Sequence, residues 1–335
     1  MERLTLMLVI RQADVEKLLS NKEREHIDAV RATYLLHEQG ATVIPRSVFL
    51  RFPDQPSDRI IGLPAFRGGE HPAAGMKWIS SFPGNVQSGI PRASAAMLLN
   101  SLRTGHPEAL LEGSLISAAR TAASAALAAE MLTRESRPTG ITLVGCGVIN
   151  LEILRYVNAA IDTLEEVTIH DSSAPRAGEF ARRCAELLPQ ARVAVVDSLD
   201  EALAAQRLVS FATSAGVPHT DLTAVAPGSV VLHVSLRDID PETLLHTHNI
   251  VDDADHVCRE LTSLHLAERM SGHRRFIDAS IGQLIAGTRT FTPDPDKVTV
   301  FSPFGLGVLD LALAVEVHTS ARELGLGVDI TDFLA

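Results

Sequence analysis

Ile141-Thr142-Leu143-Val144-Gly145-Cys146-Gly147-Val148-Ile149-Asn150 is a short apolar, β-branched run that enters a glycine pair. A helical pattern follows from Leu151 to Ala160. The order predicts strand, tight turn, helix. Gly145 allows the turn, and Gly147 lets a backbone approach a pyrophosphate at the positive helix N-terminus. The next apolar run, Val167-Thr168-Ile169-His170, ends in Asp171. An acid at the end of a second strand is placed to hold ribose hydroxyls and to repel the extra phosphate of NADP. Asn150 stands where the generic fingerprint has a third glycine.

Further strands are expected at 192–196, 208–213, 230–235, 250–253 and 298–302, with helical stretches between most of them. Such alternation implies a parallel, doubly wound sheet, whose ligands sit beyond the carboxyl ends of the strands. Asp171, Thr213-Ser214, Val234-Ser235 and Ser302-Pro303 lie there. Upstream, a strand is expected at residues 4–10, a short helix that Asp14 could cap, and a helix from Glu25 to Gln39. Val43 to Leu99 reads as short strands punctuated by Pro and Gly. Glu112 to Glu135 reads as one long Ala-rich helix, and a last helix runs from about Leu309 to Leu324, stopped by Gly325.

A chain of 335 residues suggests about two domains. Its 46% hydrophobic and 21% charged residues suit a soluble globular protein. The net charge of −11, with no Lys/Arg block, argues against nucleic acid and confines any cationic site to a small local anion. No apolar run approaches about 18 residues, so no membrane span is expected. Cys146, Cys184 and Cys258 form no CxxC pair, which fits a reducing cytoplasm, and the histidines show no metal spacing, so no metal is assigned.

Arg120 lies in the middle of the long helix among Ala118, Ala119, Thr121, Ala122 and Ala123. A solvent-facing arginine is the plain reading. With no acid three or four positions away, bidentate capture of a carboxylate is the sharper one. Lys77 on its own reads as an exposed edge-strand lysine. Asp238 on its own reads as a helix N-cap. Asp240, directly before Pro241, is the better cap, which leaves Asp238 freer. A structural role suits His233; the roles of His71 and Glu70 stay open.

Gly75-Met76-Lys77-Trp78, the run from Glu112 to Arg120-Thr121-Ala122-Ala123, the Gly145-Cys146-Gly147 turn, Asp238 and Ser302-Pro303-Phe304-Gly305 together resemble the ornithine cyclodeaminase/μ-crystallin family. Asp58 to Pro64, Gly68 to His71 and Gly75 to Ile79 are similar to the branch acting on N-(2-amino-2-carboxyethyl)-L-glutamate, which forms 2,3-diaminopropionate in siderophore and peptide-antibiotic pathways. The resemblance implies a Rossmann domain at 119–311 and an α+β substrate and dimerisation domain from 1–118 plus 312–335. It implies a cytoplasmic homodimer that binds NAD and an amino acid with several carboxylates. Lys77 and Arg120 would hold the α-carboxylate, with Arg92, Arg46 and Phe304 also at the substrate. Lys77 and Asp238 would be catalytic, Asp238 as the acid/base. Thr121, Gly145, Gly147, Val148, Ile149, Asp171, Thr213, Ser214, Val234 and Ser235 would line the cofactor. Ornithine-cyclising members carry an acid where this chain has Ile61, which disfavours ornithine. Ornithine cyclodeaminase, a ketimine or alanine-type reductase, and a non-catalytic crystallin-like binding protein remain the alternatives.

Overall fold

A computed structural model describes residues 7–331 and 333–334, and the chain divides into two compact units. One comprises Met1–Arg120 with Leu306–Ala335, the other Thr121–Gly305.

The first unit is built on an eight-stranded sheet. Its order is Val328–Ile330, Met7–Ile10, Pro107–Glu112, Ala93–Asn100, Ala73–Ser81, Gln55–Arg67 and Thr42–Val43, with Val48–Phe52 also pairing along Gln55–Arg67. Pairing is antiparallel except between Met7–Ile10 and Pro107–Glu112. Residues 4–6 of the expected first strand lie outside the described residues. The region expected to hold only short strands contains one of 13 residues, Gln55–Arg67. Pro64 does not break it. That proline, with no N–H to give, falls between Gly62, the last residue paired with Val48–Phe52, and Phe66, which pairs with Val43.

The C-terminal helix Gly307–Leu324 packs on one face of this sheet. Two glycines set how close it comes. A Cβ on Gly75 would lie 3.1 Å from Leu311 Cδ1, and one on Gly307 would lie 3.1 Å from Leu63 Cβ. The same face carries Leu63, Lys77 and Met97, which are paired directly across three strands. The opposite face presents Val48, Leu50, Trp78 and Leu110, all exposed.

The helix expected from Glu112 begins at Ser114 and ends at Leu132. Glu112 instead closes the strand Pro107–Glu112, which the sequence pattern did not reveal. Its carboxylate accepts the backbone N–H groups of Ser114 (2.6 Å) and Leu115 (3.1 Å), so it caps the helix from outside. At 19 residues this helix is also long and apolar enough for a membrane span, contrary to the expectation that no such run exists. Its apolar window is 72% buried and Arg120 within it is ion-paired, which are the marks of a core helix.

The second unit is a doubly wound parallel sheet, the Rossmann-like α/β layer expected from the strand-helix alternation. Its order is Arg192–Val195, Glu166–His170, Gly140–Val144, Leu208–Phe211, Val230–His233, Thr299–Ser302, His248–Val251 and Ala279–Ser280. The chain leaves Gly140–Val144 on one side and returns at Leu208–Phe211 on the other. The switch in strand order therefore falls beside Gly145, where open α/β sheets bind ligands.

Candidate active site

The turn after Gly140–Val144 is held by its own residues. Gly145 has φ +95°, and a Cβ there would lie 2.6 Å from Ala212 O. Asn150 is fully buried. Its Nδ2 donates to Val144 O (2.9 Å) and Gly145 O (2.7 Å), and its Oδ1 accepts from Ser210 Oγ (2.8 Å). The residue in the third-glycine place thus ties the turn to the neighbouring strand.

Gly147 is different. Its φ of −104° suits any residue, and a Cβ there would meet nothing within 4 Å. It precedes the helix Val148–Ile161, whose N-terminus has no side-chain cap. Open space at an uncapped helix N-terminus fits a pyrophosphate. Val148 and Ile149 open that helix, and Val148 is exposed. Asp171 follows the second strand. It accepts N–H bonds from Cys146 (2.9 Å) and Ser173 (2.9 Å) and pairs with Arg176 (3.0 Å). Burial would raise its carboxyl, but these donors hold it below the usual carboxylate range, as an anion beside the turn. Burial first, then the Asp171 charge, pushes the Cys146 thiol up to about 12, so it is protonated and unreactive.

The second unit also holds a cluster around Asp238. This carboxylate is fully buried, and it is not the free group that the capping argument implied. Asp240 occupies the N-cap position of Pro241–Leu244 but makes no side-chain cap. Thr213 Oγ1 and Ser235 Oγ both donate to Asp238. His219 Nε2 lies 3.2 Å from Oδ1 and His233 Nε2 3.3 Å from Oδ2. Burial would raise the carboxyl; His233, Ser235 and Thr213 together hold it below the usual range. Leu236, between Ser235 and Asp238, has φ +68°, a left-handed conformation that a branched side chain adopts only under constraint. Phe304 packs partly buried against the core of this unit. Its N–H and that of Gly305 donate to the buried carboxylate of Asp252 (2.9 and 2.7 Å). Ser214 is exposed, and Val234 is half-buried after the strand Val230–His233.

The first unit brings Lys77 and Arg120 together through a residue the sequence reading did not single out. Asp310, three residues after Gly307, is fully buried. Its Oδ2 lies 2.7 Å from Lys77 Nζ and its Oδ1 3.0 Å from Arg120 Nε. Arg120 has no acid three or four positions away along its helix, and its ion pair is with a residue 190 positions away. Lys77 also donates to Ser117 Oγ (3.1 Å), one helical turn before Arg120. Lys77 is neither exposed nor on an edge strand. Two cations facing one carboxylate leave a net positive charge in a site only 11% exposed at Arg120, which suits a small anion. Burial and then the Arg120 charge pull the Lys77 ammonium from 10.5 down to about 8, against the upward pull of Asp310. Burial would raise Asp310, but the two cations hold it below the usual carboxylate range. A lone acid inside Val308-Leu309-Asp310-Leu311-Ala312-Leu313 was the signal that could have found it.

The structure does not gather Arg46 and Arg92 as closely. Arg46 is exposed between two short strands, and Arg92 is exposed just before Ala93–Asn100, five positions from the Met97 that pairs with Lys77. Among the described residues no cluster of His, Cys, Asp and Glu could hold a metal.

A family model described as the ornithine cyclodeaminase/mu-crystallin family matches residues 6–325. The N-((2S)-2-amino-2-carboxyethyl)-L-glutamate dehydrogenase of Staphylococcus aureus is 27% identical over 329 residues, covering 96% of this chain and 97% of that protein. The structure of Thermococcus litoralis Δ1-pyrroline-2-carboxylate reductase in complex with NADH and L-proline superposes with a TM-score of 0.90 at 25% identity, covering 97% of this chain and all of that one. An archaeal alanine dehydrogenase dimer with bound NAD gives 0.86 at 26% identity, over 98% and 100% of the two chains.

Proposed function

The chain belongs to the ornithine cyclodeaminase/mu-crystallin family, and from that premise we propose that it is an NAD-dependent dehydrogenase that oxidises N-(2-amino-2-carboxyethyl)-L-glutamate. The products are 2-oxoglutarate and L-2,3-diaminopropionate. The coarser reading, an NAD-dependent dehydrogenase or reductase of amino acids, draws on relatives with that chemistry across nearly the whole chain. The observation that carries it is the buried Lys77–Asp310–Arg120 group with its uncompensated positive charge.

Lys77 and Arg120 hold the substrate α-carboxylate, each charge-assisted contact contributing about 1.5–3 kcal/mol. Asp238 takes the proton of the substrate nitrogen and later positions water on the imine. The Gly145–Ile149 turn and Asp171 would hold NAD, the turn at its pyrophosphate and Asp171 at its ribose, and bound NAD would supply the hydride acceptor. Thr213 and Ser235 donate to Asp238 and flank the same strand ends. Arg92 and Arg46 are proposed contacts for the remaining carboxylates. Ile61 pairs with Ile79 on the face that carries Lys77, an apolar surface that offers nothing to a distal ammonium and so disfavours ornithine. Val48, Leu50, Trp78 and Leu110 on the other sheet face support a homodimer through the first unit.

Incubation with NAD+ and N-(2-amino-2-carboxyethyl)-L-glutamate is expected to produce NADH and 2-oxoglutarate together. Ornithine, alanine and Δ1-pyrroline-2-carboxylate run beside it. Faster turnover of any of these would replace the substrate assignment. NADH binding without turnover in either direction would make the protein a crystallin-like binder.

A further inference from the structure

We propose that His219 is the route by which Asp238 exchanges its proton with solvent. This rests on the reading of Asp238 as the acid/base group. A carboxylate with no exposed surface needs a path for each proton it takes up. Four side chains surround it. Thr213 and Ser235 donate hydroxyl hydrogens to it, and a hydroxyl does not store an extra proton near neutral pH. His233 is as buried as Asp238 itself. His219, with its Nε2 3.2 Å from Oδ1, has 36% of its side chain exposed. Among the described partners it alone both carries a titratable ring and reaches the surface.

The backbone fixes this placement. The N–H groups of His219 (2.7 Å) and Thr220 (3.1 Å) donate to Asp238 O, and Asp240 N–H donates to Thr220 O (2.8 Å). The Phe211 ring stands edge-on to the imidazole, with centroids 6.4 Å apart. The charged and titratable groups facing His219 are the Asp238 carboxylate and, across it, His233. At rest His219 Nε2–H donates to the Asp238 carboxylate. In the oxidative direction the proton leaves the substrate nitrogen for Asp238, and the ring re-forms by exchange with solvent with its proton on Nδ1. Nε2 then accepts the Asp238 proton while the proton on Nδ1 departs to water, which restores the resting tautomer. Bound NAD would supply the hydride acceptor, so no further oxidant is needed.

His219→Gln keeps a polar side chain against Asp238 but removes the ring. Turnover is expected to fall by about tenfold or more, with NADH affinity and melting temperature close to wild type. Added imidazole is expected to restore turnover severalfold in the variant and to leave the wild type unchanged. Wild-type turnover in the variant, or a loss that imidazole does not repair, would overturn the relay. A wild-type protein inactive on N-(2-amino-2-carboxyethyl)-L-glutamate but active on alanine or a cyclic imine would fail only the substrate assignment, and the same comparison is then made on that substrate. Inactivity of the wild type on all of them would sink the enzyme reading and the relay together.

Discussion

Lys77 illustrates how much one buried side chain contributes to this protein. Its ammonium is held by Asp310 and Ser117, yet burial and the Arg120 charge lower it to about 8. Two consequences of opposite sign follow. The lysine is charged below about pH 8 and neutral above it, so substrate carboxylate affinity is expected to weaken as pH rises through that value. The KM of the wild type should then climb above about pH 8, and that of Lys77→Arg should stay flat, because guanidinium keeps its proton. A flat wild-type KM would remove Lys77 from carboxylate binding. For folding, the depressed value means that the unfolded lysine still holds a proton between about 8 and 10.5 where the folded one has lost it. This group therefore makes the fold more stable as pH rises through that window. Asp310 is the counterpart. Its removal would leave two buried cations facing each other, a loss on the order of 3–5 kcal/mol. Lys77 and Arg120 were legible as residue types in a motif. Asp310 shows in the sequence only as a lone acid in an apolar run, and its partners do not show there, because the ion pair spans 233 positions.

Among the elements, the Gly145–Asn150 turn separates two uses of glycine. Gly145 is required by the backbone, with positive φ and Ala212 O in the way of any Cβ. Gly145→Ala is expected to destabilise the second unit by about 1–3 kcal/mol. Gly147 meets neither constraint. Gly147→Ala is expected to leave the melting temperature nearly unchanged and to weaken NADH binding by about tenfold, because the methyl occupies the space a pyrophosphate needs. Unaltered NADH affinity, measured by fluorescence titration, would move the cofactor away from this turn. The strand-turn-helix unit was readable from periodicity. The job of Asn150 was not, since its partners Val144, Gly145 and Ser210 meet only when the parallel strands assemble. The long helix was extended two residues too early for a similar reason. Glu112 is a good helix former, and only the adjacent strand recruits it as an external cap.

Across the whole molecule, the chain folds as a parallel Rossmann-like unit and a unit built on a mixed, largely antiparallel sheet, completed by residues from both ends of the sequence. That second sheet has one face covered by the helix Gly307–Leu324. The other presents Val48 (63% exposed), Leu50 (43%), Trp78 (40%) and Leu110 (36%). The proposed homodimer would cover this apolar face. Trp78→Glu combined with Leu110→Glu is expected to yield monomers in sedimentation velocity; a double variant that still sediments as a dimer would place the interface elsewhere. By itself the sequence determined the parallel unit, its glycine turn between strand and helix, and the residue types Lys77, Arg120 and Asp238, because hydrophobic period, glycine spacing and short motifs are local properties. Tertiary structure alone decided that one buried aspartate joins both cations and that two histidines and two hydroxyls surround Asp238. These are encounters between side chains far apart in the chain. Their energetics come from burial, which exists only once the sheets and helices have packed.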